Sequence, residues 1–61
     1  MPIITVKMLE GRSDDQKRAL VKEVTDAVSR TVDAPIENIS IIIEEMKKTN
    51  FAKAGVLTSD L

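Results

Sequence analysis

Apolar and polar residues alternate imperfectly along residues 2–8 of the chain. In an extended segment one face would carry only apolar side chains, namely Ile4, Val6 and Met8. Residues 3–6 of this segment are all β-branched, which favours a strand. The pattern predicts a strand over residues 2–8 with one well-buried face. A turn over residues 9–12 follows, in which Gly11 supplies backbone freedom.

A helical spacing of apolar residues comes next. Apolar side chains recur at positions i, i+4, i+7, i+8 and i+12, namely Leu20, Val24, Ala27, Val28 and Val32. Ser13 and Gln16 have the spacing of a capping box, which predicts that the helix starts at Ser13. Pro35 ends it, because the residue before a proline avoids helical geometry. We expect an amphipathic helix of about 19 residues.

Three consecutive isoleucines mark a second strand over residues 39–45. Such a run indicates burial on both faces, as in a parallel interior strand. The strand–helix–strand order predicts a right-handed βαβ unit. Residues 46–61, with Phe51 and a turn at Gly55, suffice for a short hairpin or an arm onto a neighbour.

The predicted fold is therefore of the α/β (α+β) class. We expect one domain over residues 1–61: a single βαβ unit with parallel strands and a short C-terminal hairpin, completed by oligomerisation. The chain has 61 residues, 43% of them hydrophobic, and it contains neither Cys nor His. Disulfides are excluded and a structural zinc site is disfavoured. Because so short a chain buries little surface, a homo-oligomer is expected.

The charges are balanced and dispersed. Nine basic and ten acidic residues give a net charge of −1, and Phe51 is the sole aromatic residue. This composition argues against a nucleic-acid or membrane-surface partner. No export signal is recognisable, so we expect a cytoplasmic protein.

Few groups remain for proton chemistry. Without His or Cys, the usual bases, nucleophiles and soft metal ligands are missing. Asp14-Asp15 and Glu44-Glu45 are adjacent pairs whose side chains diverge in a helix or a strand, so we interpret them as caps and surface charges. The amine of Pro2, exposed if Met1 is removed, is the main candidate base. An apolar setting and a nearby cation would lower its pKa toward neutrality. Alternatively, Met-Pro is a common beginning of protein chains and Pro2 has no catalytic role.

Two further residues each allow two interpretations. Arg12 lies between a turn glycine and a helix N-cap. It is either a clamp for a substrate carboxylate, which a guanidinium binds through two parallel hydrogen bonds, or a surface arginine paired with Asp14 or Asp15. Phe51 either walls an apolar pocket or fills a subunit interface.

Together these residues resemble the 4-oxalocrotonate tautomerase family. The resemblance covers nearly the whole chain and is carried by Pro2, by residues 9–14 (LEGRSD) with Gln16-Lys17, by residues 33–35 (DAP), and by Glu45-Met46 with Phe51 downstream. It implies a hexamer built as a trimer of dimers, active sites shared between subunits, and no cofactor. It also implies a role in aromatic catabolism.

The resemblance also implies roles for individual residues. Pro2 would be the base and then the acid, Arg12 would bind the distal carboxylate of a 2-oxo acid, and Phe51 and Leu9 would line the substrate site. Two positions depart from the family pattern. Ser40 stands where the family has a second arginine, and Lys53 stands at an apolar position. Lys53 would replace the lost cation if it turned inward and would do nothing if it faced solvent.

The sequence thus favours a cofactor-independent tautomerase acting on a small 2-oxo or enol carboxylic acid. Two alternatives stay open. One is a related Pro2-dependent hydratase, dehalogenase or decarboxylase, and the other is a non-catalytic oligomeric module.

Overall fold

The computed structural model describes all 61 residues. One helix lies between two longer strands along the chain: β1 (Ile3–Leu9), α1 (Asp14–Val32) and β2 (Ser40–Met46). A hairpin of β3 (Ala52–Lys53) and β4 (Val56–Leu57) follows. Single 3₁₀ turns lie at Ile36–Asn38, Lys48–Asn50 and Thr58–Asp60. The predicted βαβ order and C-terminal hairpin are confirmed.

β1 and β2 form a two-stranded parallel sheet. Their register runs from Ile3 opposite Ser40 to Leu9 opposite Met46. Both strands lie one residue later in the chain than the sequence predicted. Leu9 therefore ends β1 rather than opening the turn, because its pairing with Met46 extends the ladder. The turn begins at Glu10, whose N–H donates to the Met46 carbonyl at 2.9 Å.

The ends of α1 are set by local interactions. The Ser13 hydroxyl accepts from the Gln16 N–H at 3.1 Å, and the Gln16 side-chain oxygen accepts from the Ser13 N–H at 2.9 Å. This is the predicted capping box, which satisfies two of the free N–H groups at the helix start. At the other end Asp33 adopts a left-handed conformation with φ of 57°. The helix has 19 residues, as predicted.

The sheet is covered on one side only. The half-buried apolar side chains on the face toward α1 are Ile4, Val6, Met8, Ile41 and Ile43. The matching stripe of α1 is Leu20, Val24, Ala27 and Val28, also half-buried. On the opposite face Ile3 is 61% exposed and Ile42 is 47% exposed. The expectation that the isoleucine run is buried on both faces is therefore wrong for a single chain, as is the placing of Val32 in the covered stripe.

The single chain does not form a fully buried hydrophobic core. None of its 61 residues is buried. Its radius of gyration is 14.5 Å and its dimensions are 42 × 24 × 14 Å, whereas a compact domain of this length has a radius of gyration of roughly 10–11 Å. The excess reflects the C-terminal hairpin, which contacts its flanking 3₁₀ turns more than α1 or the β1–β2 sheet.

Candidate active site

Pro2 lies directly before β1 and is half-buried. Its carbonyl oxygen accepts a hydrogen bond from the Ser40 N–H at 3.0 Å, which fastens Pro2 to the first residue of β2. The preceding Met1 is almost fully exposed. The prolyl nitrogen itself makes no sheet hydrogen bond. It is held in place through the Pro2 carbonyl and its hydrogen bond to Ser40.

Ser40 is exposed and lies beside Pro2 through this hydrogen bond. Its side chain makes no hydrogen bond within the chain. A hydroxyl is a neutral donor or acceptor, so this end of the sheet carries no cation at position 40.

Arg12 lies beyond the other end of β1, between Gly11 and the helix cap. Gly11 has φ of 124°, a left-handed conformation that favours glycine and turns the chain out of the strand. The Arg12 guanidinium has no carboxylate partner. Asp15 pairs instead with Arg18, at 2.7 Å, so the pairing of Arg12 with Asp14 or Asp15 is wrong. Arg12 is an unneutralised cation.

Arg12 borders a cleft of about 180 Å³ between β1 and the first two turns of α1. The residues that line the cleft are Met8, Arg12, Gln16, Lys17 and Leu20. The ammonium of Lys17 is 2.5 Å from Glu45 Oε1 on β2. These two side chains are 26% and 34% exposed, which makes them the least exposed ion pair in the chain. Because Glu45 neutralises Lys17, Arg12 is the cation of this cleft that remains available to an anion.

Pro2 and Arg12 lie at opposite ends of β1. The seven residues of that strand separate them, and a strand of this length spans roughly 20 Å. A small carboxylic acid cannot contact both groups in one chain. The two principal residues expected from the sequence are therefore not brought together within a protomer.

The remaining expected site residues also lie outside the cleft. Leu9 is half-buried next to Met46, and strand alternation places it on the sheet face opposite Met8. Phe51 is 40% exposed, and its carbonyl accepts from the Thr58 N–H at 2.9 Å. Lys53 pairs with Val56 in the hairpin, is exposed, and has no ionic partner.

Sequence reasoning missed most of the cleft lining. Apart from the family resemblance, Gln16 was assigned to the helix cap and Met8 to the strand's buried face, and Lys17 was assigned no role. One signal was present: Arg12, Gln16 and Leu20 are four residues apart, so they recur on one side of the helix start. The contact of Lys17 with Glu45 joins residues 28 apart and leaves no such pattern.

No group of three or more acidic side chains that could hold a metal ion occurs in the chain. No helix combines the length and apolar character needed to cross a membrane.

Comparison with known proteins identifies the family. A family model described as Tautomerase enzyme matches residues 2–61. A probable tautomerase of Listeria innocua is 61% identical over 61 residues, which cover the whole of both chains. The 2-hydroxymuconate tautomerase of Bacillus subtilis (strain 168) is 56% identical over 61 residues, covering 100% of this chain and 98% of that protein.

Solved structures of similar proteins point to the same family. The crystal structure of YwhB, a homologue of 4-oxalocrotonate tautomerase, superposes with a TM-score of 0.96 at 55% identity, covering 98% of each chain. A heterohexameric 4-oxalocrotonate tautomerase from Chloroflexus aurantiacus gives a TM-score of 0.94 at 31% identity, covering 100% of this chain and 98% of that one. These matches confirm the resemblance and the fold class. The chain belongs to the tautomerase family, and its activity is that of an isomerase.

Proposed function

We propose that this tautomerase moves a proton between the enol and keto, or unsaturated 2-oxo, forms of a small carboxylic acid. The amine of Pro2, freed by removal of Met1, is the general base and then the general acid. The observation that carries the proposal is the position of Pro2, which is half-buried and bound to β2 through Ser40 at 3.0 Å. A chain without His or Cys offers few other bases for this task.

The proposed reaction with an enol acid has two proton transfers. The unprotonated Pro2 nitrogen accepts the enol hydroxyl proton, and the electron pair of that O–H bond forms the carbonyl. The electron pair of the conjugated system then takes the proton from the prolyl ammonium at a carbon farther along the chain. The amine is regenerated, and atoms and charge balance without a metal or organic cofactor.

Arg12 is proposed to bind the carboxylate distant from the 2-oxo group. Its guanidinium is unpaired and borders the cleft, and a guanidinium matches a carboxylate with two parallel hydrogen bonds. Ser40 is proposed to donate one neutral hydrogen bond near the reacting oxygen. Phe51, Leu9 and Lys53 are proposed to line the site from a neighbouring chain, since none of them lines the cleft.

We further propose that the chain, a single tautomerase domain over residues 1–61, functions as a homo-oligomer, with a hexameric trimer of dimers as the assembly. Three observations support this: no residue is buried in the single chain, one sheet face is open, and β1 separates Pro2 from Arg12. Assembly would cover the apolar face and would bring Arg12 of one chain to Pro2 of another. The heterohexameric relative supports the number six.

The test is intact mass followed by a ketonisation assay on the same sample. The substrate is 2-hydroxymuconate, since the Bacillus subtilis relative is named for it. Protein lacking Met1 should catalyse ketonisation, and Pro2→Ala should reduce the rate by about 10²–10⁴-fold, the usual contribution of a positioned acid–base group. The proposal fails if correctly processed protein turns over neither 2-hydroxymuconate nor phenylenolpyruvate, or if Pro2→Ala keeps its rate while its circular dichroism is unchanged.

A further inference from the structure

The carboxamide of Gln16 has a fixed orientation. One end of the amide accepts from the Ser13 N–H at 2.9 Å. A backbone N–H can only donate, so the atom facing it must be the amide oxygen. The NH₂ group consequently lies at the other end of the carboxamide, and no group of the chain accepts a hydrogen bond from it.

Gln16 and Arg12 border the same cleft. The third polar group there, the ammonium of Lys17, is bound to Glu45 at 2.5 Å. The cleft therefore offers an anion one free guanidinium and one free amide NH₂. Met8 and Leu20 supply its apolar walls.

The helix cap alone does not require glutamine at this position. A capping box accepts glutamate as readily, and the helix dipole favours a negative charge in the first turn. A glutamate at position 16, however, would place a carboxylate beside Arg12 and compete with any bound anion. A neutral amide keeps the cap intact and leaves Arg12 unneutralised.

We propose that Gln16 is a specificity residue for dicarboxylic substrates, its NH₂ donating a second hydrogen bond to the distal carboxylate that Arg12 binds. This inference rests on the proposed function for the role of Arg12. It goes further by assigning to Gln16 the discrimination between an acid with two carboxylates and an acid with one. A monocarboxylic enol such as phenylenolpyruvate would present an uncharged ring to this cleft and would gain nothing from the amide.

The experiment compares Gln16→Glu with the native chain on both substrates. Glutamate can still accept from the Ser13 N–H, so the fold is retained while the donor is lost and a charge is added. The KM for 2-hydroxymuconate should rise by at least about tenfold, because one hydrogen bond to the distal carboxylate is lost and a competing carboxylate stands beside Arg12. The KM for phenylenolpyruvate should change much less. A similar change in both KM values, or no change in either, would overturn the proposal.

Ser13→Ala is the matched control for the structural role of the cap. It removes the hydroxyl that accepts from the Gln16 N–H but leaves the Gln16 amide and the backbone N–H at position 13 in place. Its thermal stability should fall, and its ratio of KM values for the two substrates should equal that of the native chain. A ratio that shifts as it does in Gln16→Glu would assign the effect to cap loss and overturn the proposal.

A binding measurement separates this inference from the proposed reaction. cis,cis-Muconate has two carboxylates and no enol, so its affinity can be measured by calorimetry without turnover. Absence of catalysis in the native protein would end the proposed function. If muconate then bound the native protein at least about tenfold more tightly than Gln16→Glu, the specificity role would stand. Equal binding, or no binding by the native protein, would refute it.

Discussion

The Ser40 N–H donates to the Pro2 carbonyl oxygen at 3.0 Å, so the first residue of β2 holds the residue before β1. The hydrogen bond uses the carbonyl of Pro2 and leaves its nitrogen outside the ladder. Removal of the exposed Met1 therefore breaks no sheet hydrogen bond. The same backbone pairing that fixes the prolyl ring leaves its nitrogen available for chemistry.

The first prediction concerns a chain that keeps Met1 or another residue ahead of Pro2. In that form the Pro2 nitrogen is a tertiary amide with no basic lone pair, while the Ser40–Pro2 hydrogen bond is unchanged. Ketonisation of 2-hydroxymuconate should be lost, with intact mass confirming the extra residue and circular dichroism confirming the fold. Equal activity of the extended and processed forms would contradict an amine mechanism.

The second prediction concerns Ser40, which is exposed and whose hydroxyl has no partner in the chain. Ser40→Arg should raise kcat for 2-hydroxymuconate by about tenfold or more, since a charge-assisted donor stabilises the developing enolate oxygen better than a hydroxyl does. The substitution keeps the backbone N–H of residue 40, which donates to the Pro2 carbonyl.

Ser40→Ala is the control, and its kcat should change by less than about threefold, the effect of one weak neutral hydrogen bond. A lower kcat in Ser40→Arg, with the assembly intact by light scattering, would show that position 40 does not face the reacting oxygen.

The ends of α1 could be predicted from the sequence because the interactions that set them are local. Ser13 and Gln16 are three residues apart. The helix ends at Val32, with Asp33 left-handed, shortly before Pro35. The strand ends were displaced by one residue, because the pairing of Leu9 with Met46 depends on a register between distant segments. The cleft was missed for a similar reason: the ion pair of Lys17 with Glu45 forms only once α1 packs against β2.

The third prediction concerns the two-residue turn of the hairpin. Ala54 and Gly55 both have positive φ, 54° and 82°, as in a type I′ turn. Alanine is strained there, whereas Asn-Gly is the preferred pair. Ala54→Asn should stabilise the protein by up to about 1 kcal/mol per chain, since asparagine avoids part of the roughly 1–2 kcal/mol that a left-handed conformation costs. Urea unfolding should be compared at one chain concentration, because the stability of any oligomer depends on the concentration of its chains.

Gly55→Ala provides the opposite case. A side chain at φ of 82° is strained even though an added Cβ would meet no atom within 4 Å. This variant should be destabilised, and a gain in stability would contradict the assigned turn geometry.

The fourth prediction tests whether one site uses two chains. Pro2→Ala and Arg12→Ala should each be defective alone, because each lacks one essential group at every site. Unfolding the two variants together and refolding them as a mixture should restore activity. If Pro2 and Arg12 of a site come from different chains, random mixing leaves roughly one quarter of the sites with both native residues. If both came from one chain, no mixed site would be complete and activity would stay at the level of the separate variants.

Arg18→Ala is the matched control for this mixing experiment. Arg18 is an exposed arginine paired with Asp15 at 2.7 Å, and it does not line the cleft. It should be active alone, and mixing it with Pro2→Ala should give only the average of the two activities. The mixture of Pro2→Ala and Arg12→Ala alone should therefore be more active than either of its components. Such a result would assign the recovery to a site shared between two chains. It would also agree with the roughly 20 Å by which β1 separates Pro2 from Arg12 within one chain.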